Sequence, residues 1–234
     1  MAKANKTGKK IFNVENLVLG IIFLSFLGGS IYFAIHMDSP PEGRNYLFLF
    51  IQAIIGMVGM ILPSVVKRSM RLEIPAIHII LYALFVWGSL FFGAILNFYY
   101  IIHHWDTGLH VLSGVVLGIM GFGMVDLLND QKIGDVSPIL AAMFAFGFAM
   151  ALGVLWEIYE FANDSILGTN TQRFADLTTG EPLIGQAALF DTMKDLIANT
   201  VGAVVTSVLG YFVLKHKKGW FEPLKIRKVE KNAI

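Results

Sequence analysis

Six apolar runs divide the chain, at about 17–36, 46–66, 76–100, 107–128, 138–160 and 194–214. Short polar or breaker-rich segments separate them, such as "DSPPEGRN" before the second run. Within each run the apolar residues are nearly continuous and do not alternate. A helix rises about 1.5 Å per residue, so each run can cross a hydrocarbon core of about 30 Å. The pattern predicts an all-α polytopic membrane protein, a single integral-membrane domain built as a bundle of six transmembrane helices. An outer loop over 161–193 is the longest segment outside the spans.

Composition agrees with the pattern. Of 234 residues, 56% are hydrophobic and 15% charged, against about 25% charged in soluble domains, and the mean hydropathy is +0.65. The chain has no cysteine, which excludes disulfides, zinc-thiolate sites and cysteine nucleophiles. The leader "MAKANKTGKK" has the charge of a signal-peptide n-region, but the first run is long and lacks a small-x-small cleavage site, so it reads as a retained helix.

Charge sets the expected orientation. With both termini cytoplasmic, the inner segments are the leader, "KRSMR", "LLNDQKIGD" and the tail from Lys215, which together hold 15 of the 18 basic residues. Only Arg44, Arg173 and Lys194 fall outside, with 10 of the 17 acids. This is a positive-inside distribution, and it predicts a multi-pass protein of the bacterial inner membrane. The basic tail reads as a solvated anchor touching anionic lipid headgroups, not as a nucleic-acid site.

The candidate chemistry lies at one end of the last three runs. Run four opens with "HHWDTGLH", which carries Asp106 and His110; run five ends with Glu157 and Glu160; run six opens with Asp191, Asp195 and Asn199. Spacings of three and four place each set on one face of its own helix. Ionisable residues near bilayer depth cost about 2.5–3.5 kcal/mol on insertion scales, so they normally face the bundle interior and find partners. Carboxylates in such numbers repel one another unless a cation or shared protons neutralise them. One divalent metal (Mn, Mg, Zn or Fe) on Asp106, His110, Glu157 and Asp191 satisfies that need. Glu160 and Asp195 are then the candidate catalytic carboxylates, and Arg173, Asn199 and Trp156 the candidate ligand-binding residues. The competing account is water-exposed acids partly paired with Lys194 and Arg173, with Trp156 in the interfacial aromatic belt. His103 and His104 read as exposed loop residues. Gly114 and Gly118 form a small-xxx-small pair suited to close helix packing, and Gly202 with Ala203 reads likewise.

The segment "LGTNTQRFADLTTGEP" is turn-rich, and "LIGQAALF" after it is apolar enough to re-enter or lie on the membrane surface. Together they form a candidate lid over the acids. "WDTGLHVLSG", "WEIYEF" and "DTMKDLIANTVGA" together resemble the YjdF-type family of bacterial inner-membrane proteins, and more distantly VanZ-like proteins. The resemblance covers roughly residues 100–212 and implies at most a link to cell-envelope physiology. It highlights Asp106, His110, Glu157, Glu160, Asp191, Asp195 and Asn199, although VanZ-like proteins tend to carry Glu-xx-Gln where this chain has Glu157 and Glu160.

HExxH, Gly-x-Ser-x-Gly and Walker A signatures are absent. Three classes stay open: a metal-dependent enzyme on an envelope lipid or lipid-linked headgroup, a non-catalytic ligand-binding or assembly protein, and a cation- or proton-coupled transporter. The expected partners are membrane lipids and a lipid or small-molecule ligand at the outer face. Transport needs an inward polar path, and below Asn199 run six offers only Thr200, Thr206 and Ser207.

Overall fold

A computed structural model of the chain describes residues 8–41, 44–130, 136–216 and 224–229. Most of the basic leader, residues 131–135 with Lys132 and most of the basic tail lie outside the described residues. Six helices are long and apolar enough to cross a membrane, and the protein is an all-α, multi-pass membrane protein. The chain divides into two compact units, residues 1–103 with 222–234, and 104–221.

In the first unit, α1 (Gly8–Ile35) packs against α2 (Tyr46–Met70), with α3 (Ala76–Val86) beside them. Asn45 starts α2 by accepting a hydrogen bond from the Phe48 N–H at 2.9 Å. The third apolar run does not continue as one helix to residue 100. After α3 it becomes π-helical over Trp87–Ile95, then stops at Asn97 in the left-handed region (φ 67°) before the short α4 (Phe98–Ile101). The wider turn is closed by the Leu96 N–H donating to the Phe91 carbonyl at 2.8 Å. Tyr99 then folds back to Ser89, with the two hydroxyls 2.9 Å apart.

Aromatic rings fill this unit. Phe26 is fully buried and meets Phe91 edge to face at 5.7 Å, while Phe33 lies 5.1 Å from Tyr46. Part of the tail is ordered. Arg227–Lys228 (β2) pairs antiparallel with Leu72–Glu73 (β1), so these tail residues make a backbone ladder where the sequence suggested only a solvated anchor.

The second unit holds α5 (Trp105–Asp130), α6 (Pro138–Leu167) and α7 (Gln186–His216), each packed on the other two. Ser137 caps α6, and Pro138 occupies its first turn, where a missing N–H is harmless. Small residues set the helix separations. A Cβ on Gly202 would strike the Val111 carbonyl oxygen, and one on Gly114 would strike that of Asn199. At Gly121 it would come within 2.8 Å of Ala145 Cα. These positions let helix backbones touch, the arrangement expected of the small-xxx-small pairs.

The predicted outer loop is shorter than its sequence suggests. α6 runs on to Leu167 and α7 begins at Gln186, so "QAALF" is helical and continuous with α7. The loop proper is 168–185, bounded by Gly168 and Gly185, both at positive φ. It is also tightly tied. Asp164 accepts from the Thr171 N–H at 2.6 Å, the Gln172 N–H at 2.9 Å and the Thr169 and Thr171 hydroxyls at 2.7 Å each. Asn170 exchanges two hydrogen bonds with Ala175. Beyond it, Ala175 and Pro182 form an isolated bridge around a turn organised by Asp176.

Candidate metal centre

α5 brings Asp106 and His110 to one face at its start, and α7 brings Asp191, Asp195 and Asn199 to the face opposite. His110 Nε2 lies 3.6 Å from Asp106 Oδ1 and 3.8 Å from Asp195 Oδ2. One ligand atom from each of the three falls within 4.8 Å of the others. Tetrahedral ligands ~2.1 Å from a metal stand ~3.4 Å apart, so this spacing fits a cation after small side-chain adjustments. Two carboxylates and an imidazole suit zinc, manganese or iron.

Burial sharpens the chemistry. Asp195 is 1% exposed, and its Oδ1 accepts no hydrogen bond among the described residues; the nearest cation is Lys194 Nζ at 3.7 Å. Glu157, on α6, is 6% exposed, and its oxygens make no close hydrogen bond among the described residues, with the Thr192 and Gln172 side chains as its loose donors. Buried carboxylate oxygens without donors are rare, because the desolvation penalty is left unrelieved.

Asn199 forms the floor. Its side chain, fully buried, donates through Nδ2 to the Ala149 carbonyl of α6 at 3.3 Å. Its Oδ1 lies 2.9 Å from the Ser113 hydroxyl of α5, which is also 2.7 Å from the His110 carbonyl; the single Ser113 hydrogen serves one of the two at a time. Gly153 leaves room for this amide, since a Cβ there would collide with Asn199 Nδ2. One asparagine thus ties three helices together directly beneath the acids.

Arg173 and Lys194 flank the acids. Arg173, in the left-handed region (φ 50°), reaches from the loop to Asp106 Oδ2 at 3.6 Å and to Asp191 Oδ2 at 3.7 Å. Lys194 Nζ lies 2.6 Å from Asp191 Oδ1. Asp191 is therefore held by two cations, whereas Asp195 faces His110.

Residues 17–216 match the family described as "Predicted membrane protein (DUF2238)". The chain belongs to that family. An uncharacterized protein of Thermotoga maritima is 28% identical over 194 residues, covering 82% of this chain and 88% of its own length. No solved structure matches.

The stretch shared with the DUF2238 family includes every residue of the cluster. The structure brings Asp106, His110 and Asp195 together as one triad, while Asp191, grouped with the metal ligands from the sequence, lies beside Lys194 and Arg173. Glu160 accepts from Trp156 Nε1 of its own helix at 3.0 Å, so those two residues partner each other. His103 and His104 lie in the turn before α5 and are not part of the triad.

Sequence reasoning missed Asp164 and Gln172. Asp164 organises the loop, and Gln172 Nε2 reaches Thr192 Oγ1 at 3.1 Å and the Glu157 carbonyl at 3.5 Å. An acid just before a Gly-Thr-Asn-Thr turn was the available signal for the first. The second had none. Asp176, in the loop and outside the spans, accepts from the Thr179 and Thr178 N–H groups at 2.8 Å each, and these donors hold its carboxyl below the usual carboxylate range.

Proposed function

We propose that this DUF2238 protein is a metal-dependent enzyme of the bacterial inner membrane, acting at the outer face on an envelope lipid headgroup or lipid-linked group. The observation that carries this reading is the buried Asp106–His110–Asp195 triad with an undonated Asp195 oxygen. A bound divalent ion supplies Lewis acidity and acidifies water. Asp106, His110 and Asp195 hold it. Glu157, buried and without a close hydrogen bond among the described residues, is the general base, a role that suits it better than Glu160, which already accepts from Trp156. Arg173 orients an anionic group from the loop side, since its planar guanidinium matches phosphate or carboxylate oxygens. The excess of basic residues in the segments on the other side supports the outward orientation. The likeness to YjdF-type and VanZ-like sequences supports an envelope setting.

The test uses purified full-length protein incubated with a polar lipid extract and Mn²⁺, Zn²⁺ or Mg²⁺, with lipid products followed by mass spectrometry. The expected result is metal-dependent headgroup turnover, abolished in His110→Ala and lowered at least about 100-fold in Glu157→Gln. Metal binding without turnover of any lipid class would reduce the site to a non-catalytic cation-binding centre.

A further inference from the structure

The first unit contains a cavity of its own, about 570 Å³ in volume, within the range of small-molecule sites, roughly 300–1,000 Å³. Its lining is mostly apolar, with Gly28 and Phe33 from α1, Phe91 and Ile95 from the π-helical segment, Tyr46 opening α2, and Arg44. Its lining residues come from the end of α1, the segment before α2 and the end of the π-helical segment, all bordering apolar spans.

Arg44 has a defined position at this cavity. Its Nη2 donates to the Ile95 carbonyl at 2.8 Å, an oxygen at the end of the π-helical segment. That bond holds the guanidinium beside the cavity. Among the described residues no acidic side chain forms an ion pair with Arg44. The hydroxyls of Tyr32 and Tyr46, both residues of the cavity lining, stand 3.5 Å apart as a hydrogen-bonded pair, which leaves one hydroxyl hydrogen of the two as a further donor. A half-buried cation over an apolar hollow complements an amphiphile with an anionic head.

Gly28 stands at the open edge of the hollow. A Cβ built there meets no atom within 4 Å, and the residue lines the cavity. The glycine is therefore not required by helix packing, unlike Gly56 of the same unit, whose Cβ would meet the Phe26 ring at 2.5 Å.

We propose that this cavity holds an acyl chain of one anionic phospholipid, with the headgroup on the Arg44 guanidinium. The site is independent of the carboxylate cluster of the second unit and needs no metal.

The experiment is native mass spectrometry of full-length protein in neutral detergent, titrated with phosphatidylglycerol, phosphatidylcholine or inorganic phosphate. One phosphatidylglycerol per chain should be retained, at least about fivefold more tightly than phosphatidylcholine. Arg44→Gln should lower phosphatidylglycerol to the phosphatidylcholine level, and Gly28→Phe should abolish retention. Gly20→Phe, on α1 with equally open space but outside the cavity lining, should bind as the wild type does. Equal binding of the two lipids, unchanged retention in Arg44→Gln, or retention in Gly28→Phe would each overturn the proposal. Inorganic phosphate competing as well as the lipid would overturn the acyl-chain part. If Gly28→Phe does not fold, Gly28→Leu and Arg44→Gln carry the test.

Discussion

Two units, each with three helices of membrane-spanning length, differ in what their glycines make room for. In the first unit glycines make room for aromatic rings: Gly56 lies under Phe26, and Gly93 under Tyr99. In the second, Gly210 likewise lies under a ring, that of Phe122, but glycines also make room for backbones, at Gly114 against Asn199, Gly121 against Ala145 and Gly202 against Val111. Ring packing keeps helices apart and fills the space with apolar atoms. Backbone contact draws helices together, so short polar side chains from three helices can meet. The carboxylate cluster occurs in the unit with the close contacts for that reason.

This comparison predicts graded effects. The largest belongs to Gly202→Val. The added carbons face the Val111 carbonyl and the Val115 N–H, which cannot rotate away. Thermal unfolding in detergent should show a loss of about 1–3 kcal/mol or more, typical of overpacking. Gly56→Ala meets a side-chain ring instead and should lose less, while Gly147→Ala, with open space around it, should be close to neutral. Equal losses at Gly202 and Gly56 would erase the distinction drawn between the units.

A smaller effect is expected at Asn199. Asn199→Ala removes the hydrogen bonds to Ala149 and Ser113 and should lower stability by about 1–2 kcal/mol. It should also weaken metal binding, because α5 and α7 lose their tie beneath His110. A variant with lower stability and undiminished metal affinity would show that the floor does not position the triad.

The smallest effect concerns the loop. Asp176 has a folded-state pKa below its ordinary value of 3.8. Its contribution is therefore present above that value and lost as the pH falls through the lower folded-state pKa. Amide hydrogen exchange at Thr178 and Thr179 should be unchanged between pH 7 and 5 after correction for the intrinsic rate, and rise only below the ordinary aspartate range. Loosening already at pH 5 would contradict the Asp176 turn.

Much of this was legible in the sequence because spans are counted in residues. The starts of α2, α3 and α6 coincide with the expected starts at 46, 76 and 138. The ends were harder. α6 and α7 extend past their apolar runs because Asp164 and the segment from Gln186 to Phe190 remain helical even though they are polar or follow a glycine turn. The break at Asn97 was invisible, since "LNFYY" is as apolar as the helix before it. For the site, four-residue spacing showed which residues share a helix face. It carries no information on the rotation of α7 relative to α5, and that rotation turns Asp195 toward His110 and leaves Asp191 with Lys194 and Arg173. The partner of a lysine three residues away was the one clue, since Lys194 can reach back to Asp191 within a single turn.

The central claim is that Asp195, with Asp106 and His110, completes a metal site that Asp191 does not join. Elemental analysis of detergent-purified protein, after exposure to Mn²⁺ or Zn²⁺ and removal of free ion, tests it by setting Asp195→Asn beside Asp191→Asn. Near-stoichiometric metal in the wild type and in Asp191→Asn, with loss in Asp195→Asn at retained thermal stability, is the predicted result. A wild type that takes up no metal, or equal loss in both variants, would contradict it.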